Sequence, residues 1–205
     1  MRYFLPGLLA IAILLLGFTA TSVEAQAQQV LPLGSAMPEA DRTMPNASGN
    51  DTSLANARGS TGTVVIFWSN ECPWVDRYED RILSLQDQAA GEGIQFVFVN
   101  SNDASAFPQE TLENSRSRAE QRGYDFPYLK DEGGTVARAF GASRTPHVYV
   151  FDADDSLVYV GAIDDSPGDP DSVQERYLYD AITALASDTP IETSQTRAFG
   201  CTIKL

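Results

Sequence analysis

Blocks of apolar and polar residues alternate along the chain and predict buried strands joined by an amphipathic helix. Two near-continuous apolar runs, 64–68 and 94–99, have the length of strands that are covered on both faces. Between them, apolar residues recur at steps of three and four and predict one helix face: Val75, Tyr78, Ile82, Leu85 and Ala89. The charged residues of the same helix predict a solvated face: Asp76, Arg77, Glu79, Asp80 and Arg81. These elements together predict a βαβ unit.

The second half of the chain has weaker patterns of the same kind. A polar segment that permits a helix spans 109–122, and residues 126–129 return the chain to the core. A short helix is predicted over 135–140, followed by a hairpin with strands 147–151 and 157–163. The last predicted helix carries its apolar side on Val173, Leu178, Ile182 and Leu185.

The first 25 residues have the pattern of a signal peptide. A short positive region precedes an apolar run that is too short for a comfortable membrane span. Small residues predict cleavage near Gln26 or Gln28, and the alternative is an uncleaved N-terminal anchor. We therefore expect an exported protein, periplasmic or extracellular, that is not stably inserted in a membrane after cleavage.

The remaining sequence divides into an extended N-terminal segment over 26–62, one α/β domain over 63–190 and a tail over 191–205. The formal net charge of −14 argues against binding to nucleic acid or to an anionic membrane surface, since both would repel the chain. One histidine and two distant cysteines do not suggest a zinc or haem site, so no metal or cofactor is expected.

Two cysteines, Cys72 and Cys201, carry the candidate chemistry. In an oxidising compartment they have only one possible intramolecular pairing, and a disulfide that closes a loop of about 130 residues contributes up to roughly 5 kcal/mol on the chain-entropy model. Cys72 follows a strand and precedes Pro73 at a predicted helix start, where unpaired N–H groups favour the reactive thiolate. Glu71 and Asp76 oppose that charge.

The strand, Trp68, the turn, Cys72-Pro73 and the helix together resemble the active-site corner of the thioredoxin superfamily. Ser69 stands where a thioredoxin has its first cysteine, and the spacing from Ser69 to Cys72-Pro73 resembles the peroxiredoxin pattern. Four further stretches resemble the peroxiredoxin-like branch of the redoxin family: 78–81, 100–103, 145–147 and 199–204. The resemblance implies a thioredoxin-like α/β fold with a central mixed sheet flanked by helices.

The resemblance also implies roles for individual residues. Cys72 would be the attacking thiol, Ser69 would help to hold it, and Cys201 would be the resolving thiol. Peroxide would oxidise Cys72 to a sulfenic acid, which Cys201 would condense to a disulfide. Thr145-Pro146 resembles the cis-proline turn that faces the active site in this fold.

Three other kinds of residue have weaker assignments. His147 either orients or protonates a sulfur near Cys72 or is structural. Arg144 lies one or two residues before the position expected for a peroxide-holding arginine, and is otherwise an ordinary surface residue. Trp68 and Trp74 are expected as packing residues and as walls of the site that face the substrate.

Two hypotheses from different classes follow. In the first, the protein is an exported thiol oxidoreductase that reduces peroxide or exchanges disulfides with a protein partner. In the second, it is a non-catalytic binding or structural module in which Cys72 and Cys201 form a permanent disulfide. The first hypothesis requires an accessible, reducible thiol pair, and the second requires a buried, inert bond.

Overall fold

The computed structural model describes Met1 and residues 29–205, so the predicted signal peptide and its cleavage site lie outside the described residues. The helices and strands are, in chain order, β1 (Gly62–Phe67), α1 (Pro73–Ala90), β2 (Ile94–Asn100), α2 (Leu112–Arg122), β3 (Tyr128–Lys130), α3 (Thr135–Phe140), β4 (Arg144–Thr145), β5 (His147–Asp152), β6 (Leu157–Gly161), α4 (Tyr177–Ala186) and β7 (Cys201–Thr202). No helix in this described part is long and apolar enough to cross a membrane.

Five strands form one mixed sheet in the order β3-β2-β1-β5-β6. The first three in that order pair in parallel, whereas β5 pairs antiparallel with both β1 and β6. Helices cover both faces, so the predicted mixed sheet flanked by helices is confirmed. The strand β1 lies at the centre of the sheet and is covered on both sides, which explains why its residues are apolar on both faces.

Successive residues of β1 point to opposite faces and divide the core into two layers. Val64 and Ile66 pack in the layer that contains α1 and α4, whereas Val65 and Phe67 pack in the layer that contains α3 and the N-terminal segment. That segment buries Met37, Met44 and Leu54, and its backbone bonds to β3. It thereby covers an edge of the sheet that would otherwise be open to pairing.

Three local predictions need correction. The apolar face of α1 is confirmed, but Glu79 on its predicted solvated face is buried, because it forms ion pairs with Arg118 and Arg122. The return to the core includes a short strand, β3, that was not predicted. Val173 lies before the final helix, which begins only at Tyr177.

Candidate active site

The corner between β1 and α1 places Cys72 as the N-cap residue of α1, with φ −77° and ψ 118°. Pro73 occupies the first helical turn, where its missing N–H costs no hydrogen bond. The Cys72 side chain is only 2% exposed, and its thiol donates a hydrogen bond to the Thr145 carbonyl at 3.0 Å. The predicted strand, turn and helix around this cysteine are therefore confirmed.

Ser69 closes the turn instead of contacting the sulfur. Its hydroxyl donates to Oε1 of Glu110 at 2.5 Å, and its oxygen accepts the backbone N–H groups of Glu71 and Cys72, each at 3.2 Å. Because the hydroxyl hydrogen is used by Glu110, Ser69 does not donate to Cys72 in this structure. It positions the cysteine through the backbone.

Glu110 is a residue of this site that the sequence did not reveal. It is completely buried and also accepts the Asn70 backbone N–H at 2.9 Å and the Asn100 side-chain N–H at 2.8 Å. These donors come from the loop after β1 and from the last residue of β2, so the carboxylate ties the ends of the two strands together. Its sequence neighbours are polar and gave no signal of burial.

The Thr145–Pro146 peptide is cis, as the resemblance implied. The strand before it, β4, pairs antiparallel with β7 in the C-terminal tail, and Thr145 lies opposite Cys201. The carbonyl of Thr145 meets Cys72 on one side, while its strand neighbour carries the second cysteine. This pairing brings the tail to the corner.

Cys72 and Cys201 are free thiols that lie close together, since Cys201 packs against the core cluster that contains Cys72 and pairs with Thr145, whose carbonyl accepts the Cys72 hydrogen bond. Burial, followed by the neighbouring Cys72, raises the pKa of the Cys201 thiol to about 12. Lys204 and the backbone N–H of Trp74 act in the opposite direction on that pKa. The tail therefore reaches the site, and the disulfide between the two residues stays a prediction.

His147 is not brought to the sulfurs. Its Nδ1 accepts the Ser143 N–H at 3.5 Å and lies 3.3 Å from the Tyr149 hydroxyl, and the ring follows the side of β5 that faces α3. Burial, followed by the charge of Arg144, lowers its pKa to about 4. The described contacts favour the structural alternative over a role on Cys72.

The three remaining candidate residues, Arg144, Trp68 and Trp74, lie in three different environments. The Arg144 guanidinium donates to the Thr202 hydroxyl at 2.7 Å and so braces the tail. Trp68 is completely buried and stacked on Phe98, with 4.3 Å between ring centroids, so the expectation that it faces substrate is wrong. Trp74 is half-buried and packs edge-to-face on Phe199, beside Cys201.

A family model described as Redoxin matches residues 32–178. Among solved structures, the chain is similar to a hypothetical protein from Sinorhizobium meliloti, with 38% identity over 86% of this chain and 96% of that one and a TM-score of 0.78. It is also similar to an uncharacterized conserved protein from Geobacillus kaustophilus, with 36% identity, coverages of 85% and 92%, and a TM-score of 0.79.

A more distant similarity shows the fold alone. The peroxidoxin BcpB of Mycobacterium tuberculosis matches with 21% identity over 77% of this chain and 97% of that one, and a TM-score of 0.57. No protein of curated function matches the chain.

Proposed function

The chain belongs to the Redoxin family and has a thioredoxin-like fold, and from this premise we propose that it is an exported thiol oxidoreductase. It cycles between a Cys72/Cys201 dithiol and a Cys72–Cys201 disulfide. The observation that carries the proposal is that both cysteines meet Thr145 at the start of α1, although about 130 residues of sequence separate them.

The reaction that fits best is disulfide exchange with a protein partner. Cys72 is 2% exposed, whereas Cys201 is half-buried and lies beside Phe199, which is 46% exposed. A bulky partner therefore reaches Cys201 more easily than Cys72. The Cys201 thiolate, which is a small fraction of this thiol at neutral pH because its pKa is raised, attacks one sulfur of the partner's disulfide, and the other partner sulfur leaves as a thiolate.

The Cys72 thiolate then completes the exchange. It attacks the Cys201 sulfur of the mixed disulfide, forms the Cys72–Cys201 bond and expels the second partner thiolate. Two electrons pass to the partner, and protons from the two protein thiols balance its new thiols. The reverse sequence oxidises a dithiol partner.

Peroxide reduction is a second candidate, favoured by the position of Cys201 close to Cys72. Thiolate attack on peroxide would give a sulfenic acid and water, and condensation with Cys201 would release a second water. Arg144, for which a peroxide-holding role and an ordinary surface role were both open, bonds to Thr202, which places this reaction second.

The deciding experiment equilibrates the protein with glutathione buffers and measures the disulfide and the dithiol by mass spectrometry. A potential well above about −300 mV supports a working pair. A bond that resists these buffers supports the permanent structural disulfide instead. Peroxide consumption, with the sulfenic acid trapped at Cys72 in a Cys201→Ser variant, would establish the second candidate.

Matched single variants test the order of attack. Incubated with oxidised glutathione, Cys72→Ser is expected to accumulate a mixed disulfide on Cys201, because no second thiol resolves it. Cys201→Ser should accumulate at least about tenfold less on the buried Cys72 in the same time. Export is tested separately by cell fractionation and by the mass of the mature N-terminus, expected near Gln26 or Gln28.

A further inference from the structure

The tail beyond Cys201 is held by backbone contacts with the loop after β2. The Lys204 N–H donates to Oδ1 of Asn102 at 2.9 Å, and the Lys204 carbonyl accepts the Asp103 N–H at 2.7 Å. A further bond joins the Ile203 N–H to the Ser143 carbonyl at 3.1 Å. The pairing of β4 with β7 is only two residues long, so these bonds supply much of the attachment.

Asn102 is itself rigidly placed. It is 3% exposed, and its backbone and side-chain N–H groups both donate to Oδ1 of Asn100, at 3.0 and 3.3 Å. Its carbonyl accepts the buried Lys130 ammonium at 2.6 Å. The Asn102 oxygen that binds the tail is therefore oriented by residues outside the tail.

We infer that Asn102 is a positioning residue for the thiol pair, because its side-chain oxygen anchors the tail three residues after Cys201 and so holds that sulfur against Cys72. The inference rests on the proposed function. It also links two stretches that lie about 100 residues apart in the sequence, Asn100–Asp103 and the tail. Loss of the anchor lowers the effective concentration of Cys201 at Cys72, since the tail samples positions away from the site.

The test compares Asn102→Ala with Asn102→Asp in the full chain equilibrated with reduced and oxidised glutathione. Asn102→Ala loses the acceptor and is expected to shift the equilibrium toward the dithiol by about tenfold, or roughly 30 mV. Asn102→Asp keeps the Oδ1 acceptor but loses the side-chain N–H that donates to Asn100, so its shift toward the dithiol should be clearly smaller than that of Asn102→Ala. If Asn102→Ala and Asn102→Asp have the same dithiol–disulfide equilibrium, whether shifted or unshifted from that of the parent chain, the inference is overturned.

A second pair of variants avoids changes in the core. Lys204→Pro removes the N–H that Asn102 accepts, whereas Lys204→Ala keeps it. We expect the same tenfold shift for Lys204→Pro relative to Lys204→Ala, and no difference would contradict the role of this bond. If the parent chain has no reversible disulfide, the proposed function fails with the inference; if it has one and no variant changes it, only the inference fails.

Discussion

The two cysteines are positioned in opposite ways. Cys72 lies in a corner made by consecutive residues, in which β1, a turn closed by Ser69 and the start of α1 follow one another. Cys201 lies on a two-residue strand that is held by partners from two distant segments, one around Asn102 and one that contains Ser143 and Thr145. A local corner forms whenever its own strand and helix form, whereas the tail depends on the completed fold.

This contrast separates two kinds of stability. Opening the tail would break a few backbone bonds and expose Ile203, but it would leave the sheet intact. Disturbing the corner would affect β1, which is central in the sheet. The tail is therefore the part of the active site that opens at the lower free energy.

The largest expected effect concerns the reactivity of Cys201. Because its pKa is raised to about 12, its thiolate fraction, and hence its alkylation rate, should rise about tenfold per pH unit, or about a thousandfold from pH 7 to 10. Site-resolved mass spectrometry after iodoacetamide pulses measures this rate.

Cys72→Ala is the control for the thiol contact. It should alkylate faster at Cys201 at pH 8, since the neighbouring sulfur contributes to the raised pKa. A plateau in the parent chain below pH 9 would show that the tail is already detached from the corner.

The next effect concerns His147, whose neighbour Ser143 also anchors the tail. Its folded pKa, about 4, lies below the unfolded value of 6.5, so the unfolded chain binds the proton first as the pH falls. This contribution to stability is complete above about pH 6.5 and is lost down to about pH 4, a change of about 3 kcal/mol.

Urea unfolding at pH 7 and pH 4 measures that change. The Asp and Glu carboxylates also titrate in this range. The comparison is therefore with His147→Gln, which has the same carboxylates but lacks the contribution of His147. An identical pH dependence of the two chains would mean that His147 is not buried as a neutral ring.

A third prediction concerns the corner itself. Glu110→Gln replaces a buried acceptor of hydrogen bonds from Ser69, Asn70 and Asn100, and should lower the free energy of unfolding by about 2 kcal/mol. Denaturant titration checks this value. The exposed Glu113→Gln is the matched control and should change stability by less than about 0.5 kcal/mol.

The smallest effect tests the brace between Arg144 and the tail. Thr202→Val removes the hydroxyl that accepts the Arg144 guanidinium and should cost about 0.5 kcal/mol, because the pair is exposed. Thr202→Ser keeps the hydroxyl and should match the parent chain in thermal unfolding. A cost well above 1 kcal/mol would show that the tail is coupled to the fold as tightly as the corner.

The sequence by itself determined the parts that depend on short-range patterns. Apolar runs and helical spacing predicted β1, α1 and β2, and the Cys72-Pro73 pair marked the start of α1. The cis peptide at Pro146 came from resemblance, since nothing in the local pattern distinguishes the isomers. The mixed order of the sheet came from the same source.

The tertiary structure alone decided the polar partners and the position of the tail. No local pattern marked Glu79 or Glu110 as buried, and partners distant in sequence satisfy them: arginines of α2 for Glu79, and Ser69 among others for Glu110. The place of His147 after Pro146 left open whether it acts on Cys72 or is structural, and the alternation of β5 puts it on the side of Tyr149 and Phe151, away from the layer that contains Cys72. Cys201 meets Cys72 because bonds formed by residues about 100 positions earlier hold the tail, and no short-range pattern encodes such a contact.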